Sequence, residues 1–257
     1  ANRLLHLVNQ LMDYRRAELG VFELKVKKEN AHQLIQDNFL FYDKLARHKK
    51  ITYTLHSELE EKEELFDPNY LELIVNNLLS NAFKYTESGQ SITVTLKEEN
   101  KWLVLQVSDT GIGIPINKQG KIFERFYQID NDMTQSNFGT GIGLHLSRSL
   151  VELHHGIIKA ENREDGQGTR FVIRLPLGSN HLKAEELENP EETGSEPTIS
   201  QLPKDSIYET EEENKTNEYR KPKAKTRYRV LIVEDDEEIR RYIRSELDSD
   251  FRIYECT

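Results

Sequence analysis

An apolar run that ends in a carboxylate and passes straight into paired glycines leaves a chain few ways to fold. Trp102-Leu-Val-Leu-Gln-Val107 reads as a strand, and Asp109-Thr-Gly-Ile-Gly-Ile-Pro115 follows it at once. Gly111 and Gly113 let the backbone turn tightly and lie close to a ligand. A second run, Gly139-Thr-Gly-Ile-Gly-Leu144, opens a helical pattern of Leu144, Leu146, Leu150 and Leu153, so its amides point from a helix N-terminus towards an anion. A buried-type carboxylate beside two backbone-exposing turns can hold a nucleotide. Neither run has the phosphate-loop spacing ending in Lys-Ser/Thr, and neither gives the dinucleotide spacing Gly-x-Gly-x-x-Gly after a strand.

With 257 residues, 31% of them charged, and a net charge of -10, the chain has room for one well-cored domain with appendages. The acidic balance argues against nonspecific nucleic-acid binding. No apolar run approaches the roughly 20 residues that cross a bilayer. The expectation is a soluble, cytoplasmic piece with no membrane segment and no direct nucleic-acid partner. A single cysteine, Cys256, excludes an internal disulfide and a cysteine-based zinc cluster.

Along the chain, Leu4, Leu5, Val8, Leu11 and Met12 fall at helical spacing before Gly20. Val21 to Val26 alternates as a strand, and Asn30 is placed to cap a helix through Leu34, Phe39, Phe41 and Leu45. Ile51 to Leu55 reads as a strand, and Asp67-Pro68 starts a strong helix with Leu71, Leu73, Ile74, Leu78 and Leu79 on its apolar side. Two hairpins follow, Ser91–Leu96 with Trp102–Ser108, and Ile157–Glu161 with Thr169–Leu175. This order predicts a two-layer α/β sandwich, with 115–138 as a long functional loop. Residues 178–227 hold four of the seven prolines and few aliphatics, the composition of a linker. Tyr228-Arg-Val-Leu-Ile-Val233 then reads as a buried strand leading into a helix. The expected divisions are therefore 1–20, 21–177, 178–227 and 228–257.

On the helix from Asp67, Asn77 and Asn81 lie four apart, with Lys84 and Tyr85 following, so all four can share one face. A neutral amide oxygen suits magnesium that is also held by phosphate and water, and a lysine suits phosphate. Singly, each has an ordinary reading as a solvated helix residue. Their spacing beside two glycine turns shifts the weight towards a site.

With these motifs in order, residues 21–176 resemble the catalytic, ATP-binding domain of sensor histidine kinases, a Bergerat-type fold. The resemblance is carried by Asn77-Leu-Leu-Ser-Asn-Ala-Phe-Lys-Tyr-Thr86, Asp109 to Pro115, Ile122-Phe-Glu-Arg-Phe-Tyr127, Gly139 to Leu144, and Gly166-Gln-Gly-Thr-Arg-Phe171. It implies ATP and Mg2+ as ligands. Asp109 would accept a hydrogen bond from the adenine amino group, with Thr169 assisting through water, and Gly111 and Gly113 would shape that end. Asn81 would hold the metal, Asn77 would support metal and phosphates, and Lys84 and Tyr85 would meet phosphates or the lid. Gly139, Thr140, Gly141, Ile142, Gly143 and Leu144 would form the phosphate-facing end, with Phe123 and Phe126 packing the lid. His145, where the family usually has a small residue, reads as a helix-surface histidine.

The ATP-hydrolysing relatives carry a glutamate as general base four residues before the metal-binding asparagine, and this chain has Asn77 there. That favours transfer to a histidine over hydrolysis. No acceptor histidine is securely identified: residues 1–20 resemble the second helix of the dimerisation hairpin, and His6 lacks the expected acidic neighbour. The resemblance therefore implies partners in the dimerisation and phosphoacceptor helices of the same protein, a homodimer, and a parent anchored in the bacterial inner membrane. Val230 to Arg241 resembles the start of a receiver domain, truncated here, with Glu234 and Asp235 as a partial magnesium pair. Together these imply a hybrid kinase relaying phosphate to a receiver aspartate. A silent ATP-binding scaffold and a Bergerat-fold ATPase are the alternatives.

Overall fold

A computed structural model describes residues 22–59, 63–129, 141–163, 166–187, 229–233, 240–241, 243–244, 247 and 252–256. The chain divides into two compact units. In the larger, α1 (Ala31–Lys49) begins at Asn30, whose side chain accepts from Gln33 N, and ends at Lys50 in the left-handed region. The next helix, α2 (Pro68–Tyr85), starts with proline in its first turn behind the Asp67 cap. Asp67 does more than cap. Its Oδ1 accepts from Asn69 N and Tyr70 N at 3.0 and 3.2 Å, and its Oδ2 accepts from Lys25 N at 3.1 Å. The third helix, α3 (Gly143–Leu153), buries Leu146, Ser147, Leu150 and Val151.

Strands β1 (Lys27–Asn30) and β3 (Glu63–Phe66) form an antiparallel pair. The main sheet comprises β2 (Thr52–Ser57), β4 (Ser91–Glu99), β5 (Trp102–Asp109), β6 (Ile157–Asn162) and β7 (Thr169–Pro176), in the order β2-β4-β5-β7-β6. Every pairing is antiparallel except β2 with β4. That parallel pair is reached by a crossover through β3 and α2, which suits the need of parallel strands for a long connection. Ile92, Val94, Leu96, Leu105, Ile173 and Leu175 are buried, as are Leu71, Ile74, Leu78 and Leu79 of α2. These residues make the core of the expected α/β sandwich, sheet in one layer and helices in the other. β5 lies between β4 and β7, so its C-terminal Asp109 emerges at the middle of a sheet end.

Three local points differ from expectation. Val21–Val26 does not run as a strand: the described part, 22–25, has no regular secondary structure, with a bridge at Val26 to Leu187 and the ladder beginning at Lys27. Its backbone groups go elsewhere, Lys25 N to Asp67, Glu23 O to the Tyr70 hydroxyl at 3.1 Å, and Val26 N to Glu186 O at 2.7 Å. Alternation cannot see those side-chain partners. β3 was not expected, because Glu63-Glu-Leu-Phe66 lacks strand composition, and it forms through its register with β1. At the start of the expected linker, residues 178–187 are ordered against the larger unit through Glu186 and Leu187.

The second unit contributes β8 (Arg229–Val233) and β9 (Arg252–Cys256), paired in parallel. The expected helix at 1–20, with His6, lies outside the described residues, as do Gly139, Thr140, Glu234 and Asp235. Among the described residues no helix is long and apolar enough to cross a membrane.

Candidate functional site

Asp109 is 3% exposed at the end of β5. Its Oδ1 accepts from Gly111 N at 2.9 Å and from Thr169 N at 3.3 Å. Among the described residues Oδ2 takes no hydrogen bond. Burial pushes the carboxyl pKa up, opposed by those two amides and by the positive charge of Arg163. Arg163 is steadied by donating to Ser108 Oγ at 3.3 Å. The pattern is a buried acceptor held in place from one side only. Such a group wants a donor from a ligand.

The glycines around it are required by space. A Cβ on Gly111 would fall on the carbonyl oxygen of Tyr85, and a Cβ on Gly168, at φ 97°, would fall on that of Asp109. Gly113, at φ 72°, lies against Gly168, where an added Cβ would be 3.3 Å from its carbonyl oxygen. The turn after β5 is thus wedged between the end of α2 and the start of β7. Buried Thr169 closes this end.

The second end is built on α2 and α3. Asn77 Nδ2 donates to Gly143 O at 3.3 Å and to Ser147 Oγ at 3.2 Å, and Ser147 Oγ donates to Gly143 O at 2.9 Å. A Cβ on Gly143 would come within 3.3 Å of Asn77 Oδ1. The first turn of α3 is therefore pinned to α2 while its cap position, Ile142, makes no side-chain capping bond. A helix start of this kind carries the positive end of the helix dipole, an arrangement that suits an anion. Asn81 and Lys84 follow Asn77 along α2, half-buried, and Lys84 Nζ sits 4.9 Å from the centroid of the Tyr85 ring. Ile142 is buried, and Leu144 lies half-buried in the same turn.

Phe123 is 6% exposed and meets Phe171 edge-on, with ring centroids 6.4 Å apart. Phe126 adopts φ 54°, and its N–H donates to Gly141 O at 3.1 Å. A Cβ on Gly141, itself at φ 67°, would be 2.7 Å from Phe126 Cα. His145 differs from the surface residue expected: it is half-buried and its Nδ1 bonds Phe123 O at 3.0 Å. Ser147 and Arg163 were not singled out from sequence. A serine four residues after a helix-opening glycine is a faint signal for the first, and the second has none, since its role depends on where the β6–β7 turn lands.

The structure thus gathers Asn77, Gly141, Ile142 and Gly143 at one end, and Asp109, Gly111, Gly113 and Thr169 at the other. Residues 66–179 match the family model described as histidine kinase-, DNA gyrase B- and HSP90-like ATPase. Histidine kinase P4 of Formosa agariphila is 32% identical over all of this chain, which spans 19% of that protein. The chain thus spans well under a third of that relative's length. The catalytic domain of histidine kinase ThkA, in a nucleotide-free form, is 25% identical with a TM-score of 0.53, over 60% of this chain and 96% of that one. Full-length ShkA in complex with AMPPNP shares the fold at 20% identity with a TM-score of 0.61, over 100% of this chain and 46% of that one.

Proposed function

We propose, because the chain belongs with the sensor histidine kinases through the ATP-binding domain at residues 66–179, that it holds Mg-ATP and delivers the terminal phosphoryl group to a histidine imidazole. The observation that carries this reading is the buried Asp109 carboxylate, fixed through Oδ1 by two amides with Oδ2 left to accept. An adenine amino group supplies the missing donor, whereas guanine would set a carbonyl against the carboxylate. Phosphates then fall to the uncapped start of α3 and to Lys84, and a magnesium ion to Asn81 with phosphate oxygens.

Bound ATP would supply the phosphoryl group as an electrophile for in-line attack. The chain's own residues bind and orient. Asn77 cannot act as a general base, since an amide lacks basicity and its nitrogen is already committed to Gly143 and Ser147. This supports transfer rather than hydrolysis. The acceptor histidine would come from dimerisation helices of the same protein, in a homodimer, with onward relay to a receiver aspartate near which Glu234 and Asp235 would hold magnesium. The β8–β9 parallel pair supports a receiver start, being the kind of unit that needs further covering structure.

The test is a calorimetric titration with Mg-ATP and Mg-GTP, followed by addition of a histidine-bearing helical hairpin and radiolabelled ATP. Saturable binding of ATP but not GTP, with label appearing on the hairpin, is the expected result. Phosphate release at the rate of a true ATPase would replace kinase by ATPase, and binding without transfer would favour a silent scaffold.

A further inference from the structure

We infer that His145 is a positioning residue for the phosphate end of the site, a role that rests on the nucleotide reading above. A carbonyl oxygen can only accept, so the 3.0 Å contact with Phe123 O requires the proton on His145 Nδ1. This bond joins the first turn of α3 to the short 3-10 turn Lys121–Phe123, which is itself anchored by Phe123 against Phe171 of β7. A few residues on, Phe126 N–H donates to Gly141 O just before α3 begins, in a contact so close that Gly141 admits no side chain. The turn at 121–126 is thus tied to the start of α3 twice, once through backbone and once through His145.

The consequence is geometric. Asn77 holds α3 from the α2 side through Gly143 and Ser147, and His145 holds the same turn from the 121–126 side. With these ties, the Gly141 and Gly143 amides are fixed in direction before any anion arrives, and preorganised donors lose nothing to reorientation on binding. A small residue at 145 leaves Phe123 O without this donor, and the start of α3 keeps the Asn77 bonds and the Phe126 N–H to Gly141 O bond but loses its side-chain tie to the 121–126 turn. At the adenine end Asp109 Oδ1 is held by Gly111 N and Thr169 N, so the effect of residue 145 is expected at the phosphates.

The experiment compares the unaltered chain with His145→Ala and His145→Asn, whose side-chain amide can place a donor near the Nδ1 position. Mg-ATP and adenosine are each titrated by displacement of a fluorescent ATP analogue, with thermal unfolding run on every variant. The expected result is about a tenfold loss of Mg-ATP affinity in His145→Ala, the size of one well-placed hydrogen bond. Adenosine affinity should stay within about twofold and His145→Asn should recover most of the loss. Equal losses for ATP and adenosine, an unchanged ATP affinity in His145→Ala, or failure of a folded His145→Asn to recover would each overturn the inference. If the unaltered chain binds no Mg-ATP, the nucleotide reading falls first and the inference with it.

Discussion

The two ends of the site are made from different materials. The Asp109 end is cut from the sheet: a carboxylate at the end of a central strand, amides from two neighbouring turns, and glycines packed against carbonyl oxygens. The α3 end is a helix terminus left without a side-chain cap and held by lateral bonds from Asn77 and His145. The first fixes one acceptor atom and so can discriminate between bases. The second offers several equivalent amides and a dipole, which suit charge but carry little information about what bears it.

The comparison breaks most completely if the glycine wedge is filled. Gly168→Ala sets a methyl group onto the Asp109 carbonyl in a backbone region that side chains avoid, and should cost about 3 kcal/mol or more of stability. Urea unfolding measures it, and a loss below about 1 kcal/mol would mean that the wedge yields easily. Next in size, Asp109→Asn should weaken Mg-ATP about a hundredfold by turning a donor towards the adenine amino group. The same change should not weaken the fold. Burial raises the folded pKa of Asp109 above its ordinary value, so ionisation opposes folding at neutral pH, and a neutral amide removes that opposition. Calorimetry and thermal unfolding on the same sample check both halves. A drop in both would make Asp109 a structural residue.

At the other end, Asn77→Ala removes the bonds to Gly143 and Ser147 and should cost about 1–2 kcal/mol in stability together with Mg-ATP affinity. If stability falls and affinity does not, the two lateral ties are redundant. The smallest effect concerns His154, 4% exposed, where α3 ends. Its Nε2 accepts from Asp67 N at 3.2 Å and its Nδ1 bonds Leu150 O at 2.7 Å, so it is held neutral. Burial lowers its pKa, with His155 and His181 adding in the same direction against the hydrogen bonds to Leu150 and Asp67. The unfolded chain therefore binds that proton more readily, and stability should be full above the ordinary histidine range and decline as pH falls through it towards the folded value. His154→Asn should flatten this decline between about pH 7 and pH 5 in thermal unfolding. An identical slope in both proteins would show that His154 does not control it.

Helix starts were legible because their causes are local. Asn30 and Asp67-Pro68 lie where the structure places the caps, since a capping side chain needs only the amides two or three residues on. Both hairpins were legible from alternation, although β4 runs three residues further than expected, to Glu99, before a turn at Asn100 and Lys101 in the left-handed region. The glycine clusters were legible as a pattern, but the reason each is glycine was not. Gly111 answers to Tyr85 O and Gly141 to the Phe126 backbone, neighbours reached only after folding. β3 escaped because its strand character comes from its partner, and the 22–26 segment departs from its alternation because its partners include side chains.

By itself, then, the sequence determined the kinds of element, their order, and the presence of a carboxylate and two glycine turns suited to a nucleotide, all of which follow from short-range sterics and hydrophobic period. The tertiary structure decided which atoms are committed and which remain to bind. It set Asn77 and His145 to hold the start of α3, brought Arg163 near Asp109, and added the Thr169 amide to the local Gly111 amide on Oδ1 of that carboxylate. Those assignments depend on distances between residues 22 to 70 positions apart in the chain, and no local rule contains them.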